Sequence, residues 1–259
     1  MSHITYVGLK RYLLPAVKRV ITIGRSSWIG EVDDTTVLKY PHDRGVETDR
    51  FHTEYKILTV LSQNPRIIGL NGYTDDGIYL ERAVNGDMHE YLTRNLTISP
   101  QQRLTWCRQA AEAVAYAHSK RVIHCDIHFQ GKHLSANGEV LLNGLSSKPC
   151  KFSCPRDPPD HSDIKTDLFA LGSTIYLIMM GHDVFPDITD QDDSLEEEVQ
   201  RRFLANQFPS DSHACSVTTG KCRKQAYSSA IEVVQDIEAV VEINKIENRA
   251  IGQLDDLCV

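Results

Sequence analysis

The chain has 259 residues, of which 41% are hydrophobic and 24% charged, a composition that suits one large domain or two small lobes of an ordinary globular protein. Its formal net charge of −7 argues against a nucleic-acid surface, which needs a basic face. The longest apolar run, Leu168–Met180, is broken by Gly172, Ser173 and Thr174 and is too short to span a bilayer, and Met1–Lys10 has no signal-peptide core, so no membrane partner is expected and the cytoplasm is the default compartment.

Residues 1–17 are weakly patterned and read as an N-terminal extension. The segments VITIG, WIGEVD and TTVLKY between Val20 and Tyr40 alternate like strands. The first turn carries Gly24 and the next strand Gly30, and glycines of this kind let backbone amides approach a phosphate. A hairpin turn with no ligand explains them equally well. Lys39 closes an apolar strand. Thr48–Leu61 then spaces Phe51, Tyr55, Leu58 and Leu61 for one helical face, with Glu54 beside that stripe. A further hairpin pattern covers 66–72 and 77–83. Asp87 precedes a short helix, where capping is the commonest job for an aspartate.

Ser99-Pro100-Gln101-Gln102 is a strong helix start, with a capping serine followed by proline in the first turn. That helix is expected to reach Ser119. An apolar run then leads to His124 and Asp126, and an aspartate in such a loop can serve as a base or a ligand. A second strand, Glu139–Leu142, ends in an Asn143-Gly144 turn. Beyond it, 148–160 is rich in Pro, Cys and charge. Cys150 and Cys154 with His161 make a zinc site conceivable, but structural zinc usually shows two close ligand pairs, and free thiols are the plainer reading. Asp163–Gly181 reads as a buried helix stopped by its glycine. A polar helix over 195–207 follows, and Ser229-Ala230-Ile231-Glu232 is a capping box for a last helix.

Taken together, these motifs resemble the eukaryotic protein kinases over roughly 18–247. The strand Thr36-Val37-Leu38-Lys39 is similar to the family's V-A-I-K, and Glu54 stands where the family has the glutamate paired to that lysine. Leu80–Asp87 resembles the hinge. It implies Leu80 at the back of the pocket, the backbone of Glu81 and Ala83 against adenine, and Asp87 near the ribose. His124-Cys125-Asp126 resembles the catalytic H-R-D, with Asp126 as the base, and Asp167–Gly172 resembles D-x-W-x-x-G. The implied fold is α+β and two-lobed, protein kinase-like: a β-rich N-lobe with one helix over 18–83, a mainly helical C-lobe over 84–247, and a tail over 248–259.

The departures shape the functional expectation. Gly131 stands where the family has its metal-binding Asn, and Gly144 where it has the metal-binding Asp of D-F-G. Cys125 replaces the catalytic-loop Arg, Arg156 replaces the Glu of A-P-E, and His133 replaces an apolar residue beneath adenine. The resemblance therefore implies a pseudokinase that holds ATP through Gly24, Gly30, Lys39, Glu54 and the hinge, with magnesium weakly held or absent, and that acts through protein partners. The alternatives are an active, divergent serine/threonine kinase and a small-molecule phosphotransferase. The latter rests on His124–His128, which resembles the loop of aminoglycoside and choline kinases.

Overall fold

The computed structural model describes residues 12–24, 27–45, 48–62, 64–123, 132–134, 140–143, 150–156, 161–189, 191–192 and 194–255. The chain divides into two compact units, Met1–Asn85 and Gly86–Val259.

The first unit is an antiparallel sheet with one helix. Strands β1 (Arg19–Ile23), β2 (Ser27–Glu31), β3 (Thr36–Pro41), β4 (Leu70–Thr74) and β5 (Gly77–Glu81) lie in the order β1-β2-β3-β5-β4. The alternation of the strands sorts their side chains onto two faces. Trp28, Leu38 and Tyr40 share one face, and with Leu14 and Val17 they form a buried cluster. Within the expected extension, Leu14 and Val17 are buried apolar anchors, and just after it the Lys18 N–H bonds the Glu31 carbonyl. The opposite face carries Ile29 and Ile78, both opposed to Lys39 across the sheet.

Helix α1 (Thr48–Leu61) buries Phe51, Glu54, Ile57, Leu58 and Leu61. Tyr55, expected on the apolar face, instead stacks on Tyr73 with ring centroids 4.8 Å apart. Gly77 begins β5 at φ +145°, and a Cβ there would meet the Lys39 carbonyl oxygen at 2.1 Å. Only glycine permits this approach of β5 to β3.

The second unit is mainly helical. Helix α2 (Met88–Arg94) and helix α3 (Pro100–Ser119) are followed by a three-stranded sheet of β6 (Val122–Ile123), β7 (Lys132–Leu134) and β8 (Val140–Asn143). A 3₁₀ turn (Cys150–Phe152) precedes α4 (Ile164–Met180), α5 (Leu195–Leu204), α6 (Ser216–Arg223) and α7 (Ala230–Asp255). Ser99 caps α3 as expected, its hydroxyl accepting from the Gln102 N–H at 3.2 Å.

Helix α4 is the axis of this unit. Asp163 and Thr166 form a full capping box at its start, and Gly181 ends it at φ +83°. Leu168, Leu171 and Ile175 join a core with Leu104, Cys107, Val233 and Ile237. On its other side Phe169 and Tyr176 pack with Phe185, Val199 and Phe203. At the last helix, Glu232 accepts from the Ser229 hydroxyl at 3.0 Å and from the Ser228 N–H at 3.2 Å, so the return half of the expected box is anchored one residue earlier. Helix α7 continues to Asp255, through most of the stretch read as a tail. Among the described residues no helix is long and apolar enough to cross a membrane.

Candidate functional site

Lys39 is held by its place in the sheet. It lies on β3, the central strand, with β2 on one side and β5 on the other. Its Nζ donates to both carboxylate oxygens of Glu54, at 2.7 and 2.8 Å. Relative exposure is 9% for Lys39 and 1% for Glu54. Strand alternation directs Lys39 toward α1, and Glu54 enters the buried stripe of that helix between Phe51 and Ile57. An ion pair this dry persists because each charge satisfies the other, and removing one partner leaves an uncompensated buried charge. The arrangement presents one fixed cation at the inner face of the sheet.

The remaining expected site residues of the first unit have local roles. The Gly24 N–H bonds the Ser27 carbonyl at 2.7 Å and closes the β1–β2 turn. Gly30 lies on the face opposite Lys39, and a Cβ there would meet Val17 at 2.4 Å, so its missing side chain makes room for a core contact. At the end of β5 the Glu81 N–H donates to the Gly69 carbonyl, and the Glu81 carboxylate accepts from the Gly69 N–H at 3.1 Å. Leu80 is buried on the Lys39 face, and Ala83 is exposed after the strand ends. In the second unit Asp87 is the N-cap of α2, accepting from the Glu90 N–H at 2.8 Å. His124, Asp126, Gly131 and Gly144 lie outside the described residues.

Two features were not visible in the sequence. Glu31, opposed to Val37 on the Lys39 face, binds Arg19 at 2.7 Å and Arg82 at 3.3 Å. The three side chains lock the first and last segments of the sheet together where the hinge pattern begins. In the second unit, His118 on α3 meets the buried Asp167 of α4, Nε2 to Oδ2 at 3.1 Å. This fixes the end of α3, three residues before β6 and the segment leading to Asp126. No local signal in sequence marks either partnership, because each is set by a register or a helix crossing.

Comparison with known proteins agrees with this architecture. The family described as "Protein kinase domain" matches residues 35–131. Aurora kinase A-B of Xenopus laevis is 30% identical over 148 residues, half of this chain and 36% of that protein. NUAK family SNF1-like kinase 2 of Homo sapiens is 31% identical over 108 residues, 39% of this chain and 17% of that protein. Serine/threonine-protein kinase Aurora-2 of Arabidopsis thaliana is 27% identical over 136 residues, 46% of this chain and 48% of that protein. The chain therefore spans half or less of the length of these relatives.

Proposed function

We propose that the chain, similar to the eukaryotic protein kinase superfamily in its family match and its relatives, acts as a pseudokinase: a regulatory or scaffolding module that holds nucleotide but transfers little or no phosphate. The observation that carries this reading is a contrast between two kinds of position. The Lys39–Glu54 pair is formed, whereas positions 131 and 144 are both glycine.

Phosphoryl transfer depends on positioning and on neutralising charge, and metal ions supply much of the second. A glycine offers no side-chain oxygen to a hard cation. The donor set does not fit magnesium at those two positions. Loss of one preorganised electrostatic group typically costs roughly 10²–10³ in rate, and here two are replaced together. Lys39 remains suited to a nucleotide phosphate, with Glu54 fixing its position. Localisation in the cytoplasm and action through protein partners belong to the same proposal.

The test restores the missing ligands. Gly131→Asn with Gly144→Asp is expected to make ATP binding magnesium-dependent in calorimetry. A double variant that binds ATP as the wild type does, with and without magnesium, would contradict the missing-ligand account.

A second reading, an active serine/threonine kinase, is favoured by that same Lys39–Glu54 pair together with Asp126. It predicts labelling of a generic protein substrate that Asp126→Asn abolishes.

A further inference from the structure

Two Asn-Gly steps lie wholly within the described residues: Asn71-Gly72 on β4, and Asn85-Gly86 between β5 and α2. Two more, Asn137-Gly138 and Asn143-Gly144, reach outside them. Such a step has a chemistry of its own. The asparagine side-chain carbonyl carbon is one bond short of a five-membered ring with the next backbone nitrogen, and glycine has no Cβ to obstruct the approach. Closing that ring requires the nitrogen to lose its proton. It also takes the asparagine ψ out of the ordinary strand and helix ranges. Any contact that holds the backbone in place therefore opposes it.

The two steps are held differently. Gly72 is opposed to Tyr79 in the β4–β5 ladder, and Asn71 Nδ2 donates to Thr36 Oγ1 at 3.3 Å. Asn85 and Gly86 follow the end of β5 and are both exposed. Among the described residues, neither the Asn85 side chain nor the Gly86 N–H has a hydrogen-bond partner. The nucleophile and the carbon it attacks are thus both unheld at Asn85, while at Asn71 a strand and a side-chain bond must give way first.

We propose that Asn85 is a site of spontaneous deamidation. The deprotonated Gly86 nitrogen attacks Asn85 Cγ, the side-chain nitrogen leaves as ammonia, and a cyclic imide forms. Water then opens the imide at either carbonyl. One opening gives aspartate. The other gives isoaspartate, whose backbone is longer by one methylene. The net change turns an amide and a water into a carboxylate and an ammonium ion, with no oxidant and no second enzyme. The new charge falls two residues before Asp87, whose carboxylate accepts from the Glu90 N–H at 2.8 Å. Glu90 is also close, its Oε2 lying 3.0 Å from where a Cβ on Gly86 would stand. Deamidation therefore adds a carboxylate to the two already at the start of α2. It alters the segment that resembles the hinge, and it does not depend on whether nucleotide binds.

The experiment incubates the full chain at neutral pH, once native and once unfolded in urea. Peptide mass mapping follows the deamidated fraction at Asn71 and Asn85, and chromatography separates isoaspartate from aspartate. Urea removes the fold's influence and leaves only that of the neighbouring residues. The ratio of the Asn85 rate to the Asn71 rate is expected to be about tenfold or more larger in the native protein than in urea, because β4 must open before Asn71 reacts. Both products are expected at position 85, forming faster as pH rises, and Asn85→Gln should abolish them. The same ratio in both conditions overturns the proposal, as does an Asn85 that reacts in urea but stays intact in the native protein. Aspartate without isoaspartate overturns the ring-closing route.

Discussion

Lys39 and Arg223 are both buried cations, and their surroundings differ in one respect. Lys39 donates two hydrogen bonds to Glu54, while among the described residues the Nε and Nη2 of Arg223 meet no acceptor and the group rests on aromatic faces. The first is a closed arrangement whose parts depend on each other. The second is held by packing and leaves its directional bonding capacity unused.

The largest expected effect lies in the first unit. Glu54→Gln should cost about 3–5 kcal/mol in urea unfolding, because Lys39 is left charged and uncompensated. Lys39→Met combined with Glu54→Leu should recover much of that loss, since the pair is removed whole. Additive losses in the double variant would mean that the two residues do not act as a pair.

Gly77→Ala tests whether the backbone seats Lys39. At φ +145° and against the Lys39 carbonyl, an added methyl should cost roughly 1–3 kcal/mol. A substitution with no effect on the denaturant midpoint would argue against that close approach.

The next effect reads the environment of Arg223. Burial and the charge of Arg223 hold His213 down to about 4, from an ordinary value of 6.5. Between those values the unfolded chain binds a proton that the folded chain refuses. The stability contribution is therefore complete above pH 6.5 and is lost as pH falls through 4. With allowance for the partial exposure of His213, stability should drop by about 1–2 kcal/mol between pH 7 and pH 4.5. His213→Asn should flatten this part of the profile, and Arg223→Leu should raise the His213 value, read by NMR titration.

The smallest effect is Arg223→Leu on stability itself. Loss of the ring contacts, roughly 0.5–2 kcal/mol each, opposes the relief of burying unsatisfied donors, about 1–3 kcal/mol. The variant should stay within about 1 kcal/mol of wild type. A loss comparable to that of Glu54→Gln would show that Arg223 has a counterion and would erase the contrast between the two cations.

What could be read from sequence was local. Ser99-Pro100 marked the start of α3, and Gly181 its counterpart at the end of α4, because caps are written within a few residues. The Lys39–Glu54 pair was legible through its order, a lysine at a strand end followed by a glutamate on the next helix. Glu31 was not, because its partners lie on β1 and beyond β5 and only the register joins them. Gly30 fits a phosphate-binding pattern in sequence, while its contact with Val17, where a Cβ would come within 2.4 Å, is set by strand alternation and is not written locally. Nothing near Arg223 in sequence indicates that its guanidinium rests on the Tyr176 and Phe208 rings, since that depends on the packing of α4, α6 and the coil bearing Phe208.

The most direct test of the functional account is ATP affinity measured by calorimetry, once with magnesium and once with a chelator. The account predicts the same affinity in both, because neither Gly131 nor Gly144 supplies a ligand to the metal. Binding tighter by tenfold or more with magnesium would contradict it and make the protein an active kinase with a rebuilt metal site.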